Sequence, residues 1–147
     1  MNSSWPRWIA ASCLKYFEDN KGSYSLFANW EDQEKDNKNI WAIFQLEGPI
    51  FKETTRGIWR VDANIVILNT VILAHDYSYT IYDITGYFAS LFTCIPIYKF
   101  GPTPDDKSFV ENFNLKGPID IKNYGNNNSR VLQSTITGAY KMYLEGN

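Results

Sequence analysis

Histidine occurs once and cysteine twice among the 147 residues, and no apolar run is long enough for a membrane span. Cys13 and Cys94 lie far apart, with no CxxC and no neighbouring histidine pair. A disulfide-stapled scaffold is thereby excluded, and the two residues read as reduced thiols of a protein made in a cytoplasm. The most apolar stretch, Ala63 to Ala74, is about twelve residues with Asn64 and Asn69 inside it. A spanning helix needs roughly twenty apolar residues, so this stretch reads as core and no membrane partner is expected. The N-terminal residues Met1 to Arg7 lack the basic and apolar regions of a secretory signal. There is no basic excess either: 14 Lys and Arg face 16 Asp and Glu, a net charge of −2. Tight nucleic-acid binding needs clustered cations on the phosphates and is not expected.

Aromatic rings are what the sequence does have. Nine Phe, ten Tyr and five Trp make 16% of the chain. That is more than a small core usually holds, so some rings should lie on a surface that another molecule covers. The length suits one domain, residues 1–147.

Ser4 can cap a first helix, with Pro6 tolerated in its opening turn. Trp5, Trp8, Ile9, Ser12, Cys13, Tyr16 and Phe17 then form one apolar stripe, and Asn20 to Ser23 stops it. The polar stretch Asn29 to Asn39 reads as a long exposed loop. Two long strands follow, Ile40 to Lys52 and Ile58 to Val71, joined by a turn over Glu53 to Gly57. In the second, Trp59, Val61, Ala63, Ile65 and Ile67 alternate with Arg60, Asp62 and Asn64, which gives one wet face. From Ile65 onward both faces are apolar, so that end should be covered on both sides. Such a strand stretches roughly 45 Å at 3.3 Å per residue. A domain of this size has a radius of gyration near 15 Å, so the ribbon must curl or project onto a neighbour. Trp41, Ile43, Trp59 and Val61 are its candidate subunit contacts.

A second helix starts at Asp76 or Ser78 and runs to about Thr93. Ile95 to Phe100 is a third strand, which Pro96 confines to an edge or a strand start. After the loop Gly101 to Asp106 come a fourth strand, Phe109 to Ile121, and a fifth, Arg130 to Leu144, linked through Asn123 to Ser129. Leu132, Ser134, Ile136, Gly138, Tyr140, Met142 and Leu144 are the inward set of the last. The order is α-β-β-α-β-β-β: α+β with a mainly antiparallel, twisted sheet, a long hairpin and two helices. Leu46-Glu47-Gly48-Pro49-Ile50 recurs as Leu115-Lys116-Gly117-Pro118-Ile119, and both copies read as strand interruptions.

No catalytic constellation stands out. His75 precedes Asp76, but no Ser or Cys elbow, HExxH or phosphate-cradling glycine loop accompanies it. Glu31-Asp32 and Asp105-Asp106 lie in loops and read as solvated. No enzyme activity, metal or cofactor is expected. Trp41 and Trp59 leave open a stacking platform for a carbohydrate in a monomeric ligand-binding domain.

Leu46-Glu47-Gly48-Pro49, the strand Trp59 to Ile65, the helix Tyr79 to Phe92 and the run Ile97 to Gly101, taken in this order, carry a likeness that covers most of the chain. The layout resembles the tail terminator (tail completion) proteins of long-tailed bacteriophages, lambda-type members included. What the resemblance implies is a ring of copies, hexameric in that family, at the head-proximal end of the tail tube. Such a ring stops tube polymerisation and docks on the neck or stopper protein, while genomic DNA passes through its lumen. The protein would then be a virion component assembled in the host cytoplasm. Its docking loops would include Glu31, Asp32, Glu34, Asp105, Asp106, Asn126 and Asn127. Another neck component, a stopper or adaptor, is the alternative within the virion.

Overall fold

In the computed structural model the first helix, α1, spans Trp5–Asn20. The structure describes residues 2–20, 25–27, 40–72, 79–91, 93–103, 105–124 and 131–145. The Ser4 carbonyl accepts the first helical hydrogen bond, from the Trp8 N–H at 3.0 Å. The side chain that ties this turn down is Asn2, whose Oδ1 accepts the Ser4 N–H at 2.9 Å. Trp5, Trp8, Ile9, Ser12, Cys13 and Phe17 are buried along one stripe, with Tyr16 half-buried beside them.

The strands are β1 (Ser25–Phe27), β2 (Ile40–Thr55), β3 (Ile58–Ile72), β4 (Cys94–Phe100), β5 (Lys107–Leu115), β6 (Asp120–Tyr124) and β7 (Val131–Glu145), and the second helix, α2, is Tyr79–Leu91. They form one sheet in the order β1-β2-β3-β7-β5-β4, with β6 paired to β7. All pairings are antiparallel except that of β1 with β2. The class is α+β with two helices. Two details correct the order read from the sequence. A three-residue strand, β1, precedes the hairpin, too short for any periodicity to announce it. The stretch Phe109 to Ile121 is two strands, because Gly117 sits at φ +87° and Pro118 lacks a ladder donor.

β2 and β3 form the hairpin, closed at Arg56-Gly57, one residue beyond Thr55. The ribbon does not project alone. β7 runs beside β3 for its whole length, from Ile58↔Glu145 to Ile72↔Val131 without a register shift. Pairing also sorts the faces, because directly opposed residues share one. Phe44, Ile67 and Ile136 face the helices, as do Asn69 and Ser134. Gln45, Val66 and Thr137 face away.

Both helices lie on the same face. The Phe17 ring meets Phe44 on β2, centroids 4.8 Å apart. At the opposite end of the sheet, Ser12 Oγ of α1 accepts the Tyr98 N–H of β4 at 2.9 Å. In a flat sheet β2 and β4 would be about 19 Å apart, four spacings of roughly 4.8 Å, whereas a helix is about 10–12 Å across. The sheet therefore curls around α1. The helix also supplies a hydrogen-bond partner to β4, the edge strand that carries Pro96. α1 and α2 join at their C-terminal ends, where Tyr16 Oη donates to the Leu91 carbonyl and Tyr87 Oη to that of Asn20.

α2 is fixed by a buried polar chain. Thr85 Oγ1 donates to the Ile81 carbonyl at 2.6 Å and lies 2.5 Å from Ser134 Oγ. Its proton being used, the Ser134 hydroxyl must donate to Thr85, and Asn69 Nδ2 donates in turn to Ser134 at 3.2 Å. Strands β3 and β7 are thereby tied to the helix above them. Thr85→Val strands the Ser134 proton in the core and should cost about 1–3 kcal/mol in urea unfolding. The double change Thr85→Val with Ser134→Ala should cost less than the two single effects summed, since the hydroxyl that Thr85→Val strands is then gone and only Asn69 Nδ2 loses its acceptor.

The two Gly-Pro sites lie on one line across the sheet. On β2 the register breaks between Glu47 and Ile50, opposite Asn64 and Asp62. These pair onward with Ala139 and Lys141 of β7. The Ala139 carbonyl accepts the N–H of Lys116, next to Gly117. Gly48 has φ +106° and a Cβ there would meet the Asp62 carbonyl oxygen at 3.3 Å, whereas Gly117, at φ +87°, faces open space. Gly48→Ala should therefore lower stability more than Gly117→Ala in thermal unfolding, each through forbidden backbone torsion and the first also through crowding.

Candidate interaction surfaces

The four hairpin residues singled out as subunit contacts fall in different places. Val61 is fully buried and belongs to the chain's own core. Ile43 is 1% exposed. Trp59, opposite Leu144, points to the helix side and is half-buried against that core. Trp41, opposite Thr70, points to the other side and is half-buried. Trp41 and Trp59 thus face opposite sides of the sheet, about eleven residues or roughly 36 Å apart along β3. The fold does not bring them into one stacking platform.

Of the docking-loop residues, Asp105 and Asp106 are exposed. They lie in a tight loop between β4 and β5, closed by Gly101 N–H to the Asp106 carbonyl at 2.6 Å and Asp106 N–H to the Thr103 carbonyl at 3.0 Å. Glu31, Asp32, Glu34, Asn126 and Asn127, and His75 with them, lie outside the described residues. Among the described residues there is no group of three or more His, Cys, Asp or Glu that could hold a metal ion. No helix among them is long and apolar enough to cross a membrane.

The face of β2, β3 and β7 turned away from the helices carries residues that the sequence patterns did not single out. Ile50 on β2 is 68% exposed and Tyr143 on β7 is 47% exposed. Between them lies a charged group. Arg60 Nε donates to both oxygens of Asp62, at 2.9 and 3.2 Å, and Lys116 Nζ lies 3.8 Å from the same carboxylate. The hydrogen bond and charge of Asp62 raise the Arg60 guanidinium above its ordinary value. A shallow depression of about 220 Å³ separates Ile50 from Lys116 across Asp62 and Asn64. The interruption at Gly48-Pro49 is legible in the sequence, but its effect on register is not. Gly48 and Pro49 together stand against one residue of β3, so that Ile50 pairs with Asp62 on the wet face and not with a core residue.

A second opening lies where β5 and β7 part. They pair only at Asn114↔Lys141 and Leu115↔Tyr140. Beyond that point a cleft of about 670 Å³ opens between Val110 and Glu111 of β5 and Tyr143 to Glu145 of β7. Trp5, Ile58 and Leu144 are among its walls, with Lys99 at the side. Lys99 Nζ sits over the Trp5 and Trp8 rings, 5.4 and 5.9 Å from their centroids.

The Cys13 thiol does not stand in a nucleophilic setting. Cys13 is fully buried under α1, and burial pushes its thiol up to about 12. Burial also raises Tyr140, the Cys13 thiol adding to it, and Tyr16 moves the same way. These groups are held neutral by the fold, so stability is complete below their unfolded values and falls as pH rises through the folded ones. Cys13→Ala should flatten the loss of stability between pH 9 and 12, by up to about 1.4 kcal/mol per pH unit, in urea titrations across that range. No protein-family model matches the chain, and no curated protein matches it.

Proposed function

We propose that this chain is a structural protein of a tailed-phage virion, a tail terminator. In this reading copies form a ring, hexameric by resemblance, on the head-proximal end of the tail tube. The ring ends tube polymerisation and joins the tube protein to the neck or stopper protein. DNA passes through the lumen without being gripped, in keeping with a net charge of −2.

The observation that carries the reading is the one-sided build of the sheet. Both helices clad one face of the long β2–β3–β7 platform. The half of the other face nearer the hairpin turn presents Ile50, Tyr143 and the Arg60–Asp62–Lys116 group to solvent, Ile43 and Thr70 farther along it being enclosed. A polar patch with isolated apolar anchors suits a heterologous contact between identical subunits, which closes into a ring when its rotation divides the circle. On this reading the ring contact is made by Ile50 and Tyr143 rather than by Ile43 and Val61, which the chain buries itself. The exposed Asp105-Asp106 loop is then a docking point for tube or neck.

Electron microscopy of the purified protein, alone and mixed with tail tubes of its source, tests this. Six-fold rings or density capping a tube end are the expected result. Ile50→Asp with Tyr143→Asp should abolish that density and leave the circular dichroism spectrum and melting point unchanged within a few degrees, since both side chains are exposed. A strict monomer that ignores tubes at high concentration would refute the proposal.

A further inference from the structure

β5 and β7 are hydrogen-bonded at only two residue pairs and then diverge, so beyond these their facing backbone edges are not paired with each other. On β7 the side is identified by the Ala139 carbonyl, which accepts the Lys116 N–H. Hydrogen-bonding sides alternate along a strand, so the N–H and C=O of Tyr143 and Glu145 point the same way, into the cleft. On β5 the Leu115 N–H points to the opposite side, to the Thr93 carbonyl that leads into β4. The Asn112 N–H instead bonds the Glu111 side chain, Oε1 at 2.9 Å. A carboxylate there occupies the position where a neighbouring strand's carbonyl would lie, which is how a free edge is kept from pairing indiscriminately. The β5–β4 ladder also skips a residue at this level, between Ile97↔Glu111 and Tyr98↔Phe109, and the bulge carries β5 away from β7.

We infer that the β5–β7 cleft is an acceptor site for an extended segment of a partner protein, which enters as an additional strand and makes the sheet continuous from β7 to β5. The two walls run antiparallel to each other, so an entering strand is antiparallel to one and parallel to the other. Both arrangements satisfy backbone donors and acceptors. Apolar surface from Ile58 and Val110, both partly exposed, receives side chains of the segment. Charge selects its flanks. Glu111 and Glu145 line the opening, and among the described residues that line it the cation is Lys99, already seated on two indole rings. The segment that fits is a short strand of β-branched residues with Lys or Arg at its ends. Ring formation is not required for this site, which lies within one chain.

The probe is a synthetic peptide of alternating Val and Thr with Lys at both ends, titrated into the full-length protein and followed by amide NMR and hydrogen exchange. Saturable shifts centred on Asn112, Tyr143 and Glu145, with exchange at Tyr143 and Glu145 slowed at least tenfold, are expected. A peptide N-methylated at alternate residues should bind at least tenfold more weakly, because it loses one row of donors. Glu111→Gln with Glu145→Gln should weaken the Lys-flanked peptide three- to tenfold and leave a Gln-flanked one unchanged. Equal binding of the N-methylated peptide, shifts confined to the outer sheet face, or no binding at millimolar peptide each overturns the assignment. So does protection of the same amides that grows with protein concentration in the absence of peptide, since a second copy would then be the occupant.

Discussion

The pairing of β3 with β7 is the constraint on which the rest of the molecule hangs. Fifteen residues of each strand meet in one register without a bulge, from the hairpin turn to the far end. A one-residue slip of β7 would turn Ile136, Tyr140 and Met142 to the outer face while Val61, Ile65 and Ile67 of β3 stayed on the inner one, so the register is held by the whole inner face at once. Everything else attaches to this pair. β2 lies on its left flank, β5 and β6 share its right, and α2 sits across it through the Asn69–Ser134–Thr85 chain. The irregular features fall on the flanking strands, where a bulge or a break does not disturb the central ladder.

That division accounts for what the sequence discloses. Period-two and period-3.6 patterns are written wherever one face is buried and the other wet. The stripe of α1 and the alternation of β3 and β7 could therefore be read residue by residue. Ser134, Ile136, Gly138, Tyr140, Met142 and Leu144 are all buried as their spacing implies, with Leu132 partly so. Pro96 on the edge strand follows from its missing N–H alone. What was not legible depends on partners distant in sequence. β1 owes its existence to three pairings with β2, and the split of the fourth strand turns on which neighbour each half finds. β5 goes to β4, while β6 goes to β7.

The candidate surfaces were less legible still, for a related reason. An aromatic or branched residue in a strand looks the same to the sequence whether it faces core, solvent or a partner. Ile43 and Val61 turned out to be enclosed, whereas Ile50, three residues past a Gly-Pro bulge origin, was displaced to the outer face. The β5–β7 cleft has no side-chain signature at all, because what defines it is main chain left unpaired by two diverging strands. Buried Asn69 is the opposite case: its position inside an apolar run marked it, and its role as a donor to Ser134 needed the fold.

The clasp of α1 on β4 has a consequence for how the chain comes off the ribosome. Ser12 and Tyr98 are 86 residues apart, and the helix that meets the last strand of the sheet is made first. At about 5–20 residues per second, α1 waits roughly 4–17 s before β4 has been synthesised. During that interval Trp5, Trp8, Ile9 and Phe17 have no sheet to curl around them, and a helix this short is marginal by itself in water. The nascent protein thus carries its most aromatic segment uncovered through much of its synthesis, which makes this stripe a natural place for a chaperone to hold until the edge strand arrives.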